Sequence, residues 1–436
     1  MVLIRNFKNI FLIPELRNKL AFTIGVLAVY RFGVHIPIPG INVYALGNLF
    51  KSNVVGGLLS YLDLFAGGAL RNFAIFALGI SPYISASIMI QLLTVMIPTL
   101  EQLSKEGEYG RNILNQYTRY LALGISVIQG FSIAAFVESN PGLVLNPGWG
   151  FKLTTTLILS VGSMFVMWLG EQINSHGLGN GSSVIIFAGI VAGLPDAIIK
   201  LFHFVLEGQT DPLIAVLLGL TTIFVIVCVI FLEKGERRVP VQYAKRVIGQ
   251  KVYGGQSSYI PLKLNPSGVI PVIFASSLLT FPMTIVGVLA SKFPSLTIVS
   301  EWLNTGALHY TLMAALIIFF SFFYTAVIFN PAELADNIRK SGGFVPGIRP
   351  GKRTAEFFDY LLTRLGLPGS IYLALLAILP GILRHFISFP MIFSGISLLI
   401  VVGVAMDTSS QIESHLIERR YEGFLSTGRL KGRLGR

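Results

Sequence analysis

Ten long apolar runs divide this 436-residue chain, and they restrict it to one broad class of structure. A helix needs about 17 to 25 mainly apolar residues to cross the hydrocarbon core of a bilayer. Apolar residues make up 53% of the chain and charged residues 12%, which is typical of integral membrane proteins and predicts no soluble domain. We predict an all-α polytopic membrane protein with spans at Leu20–Val34, Phe73–Leu93, Leu114–Val137, Leu153–Leu169, Ser183–Val205, Pro212–Leu232, Val269–Leu289, Thr311–Phe329, Leu367–Leu383 and Met391–Met406.

The basic residues orient these spans. Most of the 33 lysine and arginine residues lie in the amino-terminal tail and after spans two, six, eight and ten, in residues 1–19, 98–120, 233–266, 330–367 and 407–436. Because basic residues accumulate in cytoplasmic loops, we expect both termini in the cytoplasm. The net charge of +12 is therefore first a topology signal. It is secondly an indication of acidic partners such as anionic lipids or RNA.

The stretch Leu78–Leu93, LGISPYISASIMIQLL, is apolar enough for a bilayer but carries a serine or glutamine about once per turn. Just before it, the glycine-rich segment Gly56–Arg71 is too polar and too interrupted to span a membrane. Non-helical backbone at membrane depth is tolerated only where it is buried in protein or lines a water-filled cavity. The pair predicts a discontinuous helix at a pore, with the segment as a stopper. The alternative is an interfacial re-entrant helix without a gating role.

Spans two and seven share one pattern. Gly79-x-x-Pro82-x-Ile84-x-Ala86-Ser87 matches Gly268-x-x-Pro271-x-Ile273-x-Ala275-Ser276 position for position. The copies lie at corresponding places in two five-helix halves, and because five is odd they run in opposite directions through the bilayer. This is typical of an inverted repeat, whose interface carries the transport pathway. The alternative is chance recurrence of a small-residue pattern that tightly packed spans often contain.

Two faces of span two differ in polarity. Ile80 and Ile84 are one turn apart and share a face, whereas Ser87 and Gln91 share another. One face is a candidate dry constriction and the other a candidate polar seam, although most isoleucines at this spacing face lipid or a core.

Two inner loops are longer and more basic than simple connectors. Glu233–Asn265 interleaves basic residues with tyrosines, and its apolar pairs at Val239–Val241 and Val252–Tyr253 predict a hairpin-like projection. Asn330–Arg364 contains several Pro-Gly and Gly-Gly turns. We interpret both loops as docking surfaces for RNA phosphates or a large acidic partner. The alternative is that their charge only determines topology.

Motifs of catalysis are absent from the sequence. There is no H-E-x-x-H, G-x-S-x-G or P-loop, and the six histidines lack metal-ligand spacing, so we expect no enzyme activity, no cofactor and no metal. An ion-coupled transporter would place an ionisable group within a span, yet Asp63, Glu138, Glu171 and Asp407 are expected in or beside loops. A passive conduit driven from outside fits better than this rival. A scaffold that binds partners without conduction would leave the repeated pattern and the stopper without a purpose.

Five motifs together resemble the SecY family of protein translocase channels: GISPYISASIMIQLL, EGEYGRNILNQYTRYLAL, GLGNGSSVIIFAGIVAGLP, NPSGVIPVIFASSLL and ADNIRKSGGFVPGIRPGKRTAEF. The resemblance implies ten helices in two inverted, pseudo-symmetric halves around a central hourglass pore. Such a channel passes unfolded preproteins outward and releases membrane helices sideways. The expected divisions are an amphipathic segment 1–19, the halves 20–205 and 206–406, and a basic tail 407–436.

The resemblance also implies a pore ring and a plug. The ring isoleucines would be Ile80, Ile84, Ile186, Ile273 and Ile400. An aliphatic collar conforms around a passing chain and disfavours a continuous file of water, so it seals without binding ions. The plug would comprise Ser60, Tyr61, Leu62, Asp63, Leu64, Phe65, Ala66, Gly67, Gly68, Ala69, Leu70, Arg71 and Asn72.

The remaining implied sites are a lateral gate and a docking surface. The gate would place spans two and three opposite spans seven and eight, with a polar seam of Ser87, Gln91, Ser276, Ser277 and Thr280. Docking residues would be Arg238, Lys245, Arg246, Arg349 and Lys352. Implied partners are single-span subunits similar to SecE and SecG, the SecA motor ATPase, the ribosome with its nascent chain, signal sequences, anionic lipids, and SecDF- and YidC-like accessory proteins.

Overall fold

The computed structural model describes residues 13–42, 45–47, 63, 66–140, 142–208, 211–243, 246–248, 251–253, 257–290, 307–387 and 395–427. Within these ranges the chain is mainly helical. It divides into two compact units, Met1–Gly193 with Val404–Arg436, and Leu194–Gly403.

The first unit is a helical bundle in which α4 packs on both α2 and α5, and α1 packs on α5. Its helices are α1 (Pro14–Gly33), α2 (Ser81–Met96), α3 (Pro98–Lys105), α4 (Glu108–Ser139), α5 (Trp149–His176) and the first part of α6 (Gly181–Leu206). Small buried residues recur every fourth position on α4, at Ala122, Ser126, Gly130 and Ala134. Small side chains let helix backbones approach closely, and this is how membrane helices associate without a hydrophobic driving force.

The second unit combines helices with a small sheet. Its helices are α7 (Pro212–Lys234), α8 (Ile270–Ala290), α9 (Ala307–Ile328), α10 (Pro331–Lys340), α11 (Lys352–Ile387) and the start of α12 (Gly395–Thr427). Its strands are β1 (Glu236–Tyr243), β2 (Arg246–Ile248), β3 (Lys251–Tyr253), β4 (Ser257–Lys263) and β5 (Gly343–Phe344). Helix α9 packs on α8 and α11, and α7 packs on α11.

Each predicted span overlaps one of these helices. By length and apolar composition, seven helices of the described ranges can cross a membrane, or eight if the bent pair α2 and α3 is one span. Helix α7 exposes a nearly continuous apolar surface that includes Leu220, Phe224 and Phe231. Exposed apolar surface of this extent requires lipid or a partner to cover it. The chain is therefore a multi-pass membrane protein, and the count of ten spans stays a prediction.

The predicted start of span two is wrong. The helix begins at Ser81, whereas the residues from Gly67 to Ile80 form successive turns. The backbone at Phe73 and Ile75 is hydrogen-bonded to the 36–38 segment instead, with Phe73 O accepting from Ile38 N at 2.9 Å. Gly79 is left-handed at φ 55°, which interrupts a helix before Ser81. Pro82 lies in the first turn of α2, where a proline is tolerated because the first N–H groups of a helix have no partner within it.

The repeated pattern marks two similar helix starts. Gly79 has φ 55° and Gly268 has φ 60°, and each glycine lies two residues before its helix. The carbonyl of Gly79 accepts a hydrogen bond from Ser163 Oγ at 3.1 Å, and that of Gly268 from Asn265 Nδ2 at 2.8 Å. Only glycine adopts this backbone conformation readily. The pattern thus encodes a local break before a helix.

The loop predicted to form a hairpin-like projection contains two antiparallel pairs of strands. Strand β1 lies antiparallel to β4, with Val239 opposite Ile260, while β2 and β3 form a separate pair with Val247 opposite Val252. The seven-residue β1–β4 register buries Val239, Val241 and Leu262 on one face. Alternation of apolar and polar residues sets strand register, and β4 offers a longer alternating partner than β3.

Two of the acids that were expected in or beside loops lie within helices. Asp407 lies inside α12, which continues to Thr427, and its side chain is not buried. Glu171 lies in the last turns of α5, where its carboxylate forms a bidentate pair with Arg119 at 2.8 and 3.0 Å. Both positions are near helix ends or past the apolar run, so neither places an unpaired acid at the centre of a span.

Helix α5 approaches the turns before α2 so closely that only glycine fits at position 162. A Cβ atom there would meet the Ile75 carbonyl oxygen at 2.0 Å. We expect Gly162→Ala to destabilise the protein by roughly 1 to 3 kcal/mol because the backbone must shift. The matched control is Gly150→Ala on the same helix, where a Cβ meets nothing within 4 Å. Thermal unfolding in detergent should show a lower midpoint for the first variant only, and equal midpoints would contradict the close approach.

Candidate functional site

The segment after Asp63 is the described part of the expected plug. Ser60, Tyr61, Leu62, Leu64 and Phe65 lie outside the described residues. Asp63 is buried, with Oδ1 accepting hydrogen bonds from Leu70 N at 3.0 Å and Arg71 N at 3.2 Å. Its Oδ2 pairs with Arg71 Nε at 2.9 Å. Burial raises the pKa of the Asp63 carboxyl, and the Arg71 guanidinium opposes this shift. One side chain thus closes the loop from residue 63 to residue 71.

Apolar residues hold this segment in the first unit. Leu70 and Phe73 belong to a buried cluster that also contains residues from the outer segments and from α4 and α5. The members of the cluster are Ile38, Leu46, Leu70, Phe73, Ala77, Leu78, Ile133, Val137, Leu143 and Leu159. Most backbone donors of the turns are paired internally, for example Ala74 N with Ala69 O at 2.8 Å. Buried non-helical backbone must satisfy its polar groups within the protein, and this segment does so.

The expected ring isoleucines are buried in both units. Ile80, Ile84 and Ile186 lie in the first unit, and Ile273 and Ile400 in the second. Ile80 immediately precedes α2 and its side chain reaches Gly170 of α5, so part of its burial is helix packing. Ile84 lies one turn further on. The closure of a ring by the two sets stays a prediction.

The expected gate residues make contacts within their own helices. Gln91 Nε2 donates to Ser87 Oγ at 3.2 Å along α2. In the second unit, Ser276 Oγ donates to Ile273 O at 2.8 Å, and both Ser276 and Ser277 are buried. The side chain of Thr280 lies outside the described residues. The pairing of the two sets of residues across a gate stays a prediction.

The first docking loop displays a basic and aromatic surface. Arg238 on β1 forms an ion pair with Glu236 at 2.7 Å, and its guanidinium lies 4.8 Å from the ring centre of Tyr259 on β4. The Glu236 carboxylate, by its hydrogen bond, raises the pKa of Arg238. Lys245 lies outside the described residues, and Arg246 begins β2. A planar guanidinium over an aromatic ring is pre-oriented for a partner.

The second docking loop is held rigidly under an exposed arginine. Thr354 Oγ1 donates to the carbonyl of Arg349 at 3.0 Å, and the flanking Gly347 and Gly351 are left-handed at φ 81° and 104°. The side chains of Arg349 and Lys352 are exposed. The geometry of the loop therefore does not depend on the charge of Arg349.

Both docking loops rest on one apolar core. Strand β5 joins the free edge of β1, with Gln242 opposite Phe344, so the second loop completes the sheet of the first. The core beneath combines residues from β1, β4, α10 and α11 with one residue that follows β5. Its members are Val239, Val241, Leu262, Ile338, Val345, Phe358, Leu361 and Leu362. The apolar alternation within each segment is visible in the sequence. The distant segment against which it packs is not visible there.

A buried polar group that was not predicted from the sequence lies before α8. Ser267 Oγ donates to Asn265 Oδ1 at 3.0 Å and lies 3.3 Å from Ser321 Oγ on α9. Glu233 at the end of α7 is buried as well. The Asn-Pro-Ser-Gly run is the signal for this group, because these residue types bond the backbone at helix starts. The group ties the segment between β4 and α8 to α9.

Most of the chain matches one protein family in sequence. The family model described as SecY matches residues 74–409, which is more than half of the sequence. The chain belongs to the SecY family. Relatives in the family include the protein translocase subunit SecY of Escherichia coli (strain K12), 48% identical over 428 residues and covering 96% of each chain. The subunit of Rickettsia bellii is 46% identical over 422 residues, covering 96% of this chain and 97% of the relative.

Solved structures of the SecY family share the fold. A structure of SecY concerned with how its plug domain stabilises the closed translocation channel and maintains a membrane seal matches with a TM-score of 0.68. It is 18% identical and covers 92% of this chain and 93% of that one. Sec61 in the canine ribosome-channel complex matches with a TM-score of 0.61 at 17% identity, covering 92% and 93% of the two chains.

Proposed function

We propose that this chain is the pore subunit of a protein-conducting channel that exports unfolded preproteins and inserts membrane proteins. The observation that carries the proposal is the largely buried run of turns from Gly67 to Ile80, which leads directly into an apolar helix in a SecY-family chain. Non-helical backbone at membrane depth is tolerated where it is buried in protein or lines a water-filled cavity. The first part of this segment, up to Asn72, belongs to the plug, residues 60–72.

The seal consists of the isoleucine side chains together with this plug. Ile84, Ile186 and Ile273 are aliphatic, buried and placed near the starts of their helices. A collar without polar groups forms no hydrogen bonds with water, so it disfavours a continuous file of water. Ions that need a hydration shell are therefore excluded. A moving preprotein fills the collar with its own side chains and replaces the seal while it passes.

The lateral gate opens by the separation of the helices that carry its polar residues. Ser87 and Gln91 bond each other, and one bond of Ser276 goes to Ile273 O. Interhelical polar contacts are worth about 0.6 to 2 kcal/mol each, so the apolar face of a signal sequence competes with them. The released helix leaves sideways into lipid.

The energy for transport comes from partners at the cytoplasmic face. The arginines on the two docking loops, Arg238 and Arg349, suit acidic protein surfaces and RNA phosphates. The canine relative in fold was solved in a ribosome-channel complex, which supports the ribosome as one partner. The SecA motor is the second. The chain itself is not an enzyme, and SecE- and SecG-like subunits cover exposed apolar helices.

We place the protein in the cytoplasmic membrane with both termini in the cytoplasm. The support is the concentration of basic residues in the segments 98–120, 233–266 and 330–367, since such residues remain on the cytoplasmic side. The same charges attract anionic lipid headgroups.

Disulfide crosslinking to a halted preprotein tests the proposal. Cys228, the single cysteine, is replaced by serine, one new cysteine is introduced as Ile84→Cys or Ile273→Cys, and the preprotein carries a thiol at the halted position. Both variants should crosslink. The matched control is Leu220→Cys on α7, which is 59% exposed on the apolar outer surface. Crosslinks only at the control position would place the path elsewhere, and the ring, plug and gate assignments would be withdrawn.

A further inference from the structure

The last turn of α1 holds the plug segment by two side-chain hydrogen bonds. Tyr30 Oη donates to the carbonyl of Ala66 at 3.0 Å, and Arg31 Nη1 donates to the carbonyl of Gly67 at 2.8 Å. Tyr30 is fully buried. These two neighbouring residues thus bind two neighbouring carbonyls of the segment.

Arg31 is a charged residue within the otherwise mainly apolar span predicted at Leu20–Val34. Placing a charged group there is costly unless it binds a partner such as a backbone carbonyl. Hydrogen bonds from a charged donor are stronger than those from a neutral donor. The described partner of Arg31 Nη1 is Gly67 O, so the position of Arg31 is explained by the plug segment.

The same turn also contacts α6 closely. A Cβ on Gly67 would lie 2.7 Å from Gly189 Cα, and a Cβ on Gly189 would lie 2.8 Å from Gly67 Cα. Gly67 and Gly68 are left-handed at φ 64° and 88°. The turn is therefore fitted between α1 and α6, with Ile186 one turn before Gly189 on α6.

Two further contacts fix the following residues. Asp63 closes the loop through Leu70 N and Arg71 N at 3.0 and 3.2 Å. Phe76 stacks on Tyr30 with ring centres 6.0 Å apart and fills the space beside Gly33. Side-chain, backbone and packing contacts all act on the same short segment.

We propose that residues 66–72 are a fixed root of the plug and that Tyr30 and Arg31 are its positioning residues. The root keeps its place when the channel opens, and it returns the plug to one closed position afterwards. This inference rests on the proposed channel function, but it concerns a different property, since a channel whose entire plug segment moves would still conduct preproteins.

Hydrogen exchange of the full-length chain, reconstituted in lipid with its partner subunits, tests the root directly. In the unmodified chain, the peptide covering residues 66–76 should exchange slowly both at rest and with a preprotein halted in the channel. Amides such as Ala74 N, bonded to Ala69 O at 2.8 Å, report on it. Faster exchange of this peptide in the halted state would overturn the inference, because the root would then move on opening.

The double variant Tyr30→Phe with Arg31→Met tests the positioning residues. It removes both donors while the ring stacked on Phe76 stays. Loss of two such bonds should accelerate local exchange by roughly 10- to 100-fold and raise the ion conductance of the resting channel. The single variant Arg31→Lys, which keeps a charged donor, should retain the slow exchange and the low resting conductance of the unmodified chain. The charge-matched control is Arg17→Gln on the same helix, whose side chain is exposed, and it should change neither.

Two results separate this inference from the channel proposal. If the double variant exchanges and conducts like the unmodified chain while preproteins crosslink to Ile84→Cys, the positioning role is wrong and the channel stands. If no preprotein crosslinks to Ile84→Cys, the channel proposal is wrong, whatever the exchange of residues 66–76.

Discussion

Simultaneous replacement of Ile84, Ile186 and Ile273 by glycine is expected to make the resting channel leak ions while preproteins are still exported. The three side chains are between 1% and 5% exposed. Their removal opens a path wide enough for hydrated ions, because the aliphatic collar is what disfavours a continuous file of water. Ile80 is left in place because its side chain also packs on Gly170. We expect resting conductance to rise by roughly tenfold or more.

Planar bilayers measure this conductance, with export of a preprotein into vesicles as the second readout. The matched control is glycine at Ile88, Ile185 and Ile317, which are equally buried but outside the ring. Because removal of packed core side chains costs about 2 to 5 kcal/mol each, the control should lose abundance and gain no specific leak. An alanine triple at the ring positions serves if the glycine triple does not fold. Unchanged resting conductance in a folded ring variant would remove the seal assignment.

The helices could be located from the sequence because their signal is local. An apolar run of spanning length such as Pro212–Leu232 has one inexpensive solution in a bilayer, since every backbone group must be bonded within the segment. The structure places α7 at Pro212–Lys234. The start of α2 was harder, because Phe73 and Ser81 lie in one apolar run. The backbone hydrogen bond from Ile38 N to Phe73 O joins residues far apart in the sequence, and it shows that the helix cannot begin at Phe73.

The site residues, like the helices, could be predicted only where their signal is local. Arg238 and Arg349 are visible as loop charges, but the joint core beneath them depends on pairing of β1 with β4 and β5. Arg31 is visible as an interruption of the first apolar run, yet its partner is a backbone carbonyl. Backbone carbonyls occur at every position, so no residue pattern identifies the one that is bound. Contacts of this kind are found only in the structure.

Charge reversal at Arg349 is expected to block motor-driven export and to leave the fold intact. The backbone of the loop is held by Thr354 and by two left-handed glycines, so the side chain is free to act on a partner. Like charges placed together at an interface cost several kcal/mol. We therefore expect Arg349→Glu to lower SecA-driven export by roughly 10- to 100-fold at a motor concentration below saturation, whereas membrane insertion driven by the ribosome continues.

The matched control for this prediction is Arg339→Glu on α10, an exposed arginine of the same region that pairs with Asp336 at 3.2 Å. It changes the net charge equally but lies outside the loop that Thr354 fixes. Export by vesicles, binding of the motor and abundance of the channel are measured together for both variants. An equal loss of export in both variants would show that total charge, not the loop, attracts the motor. Reduced abundance of Arg349→Glu alone would show that Arg349 supports folding, and its assignment as a docking residue would then be wrong.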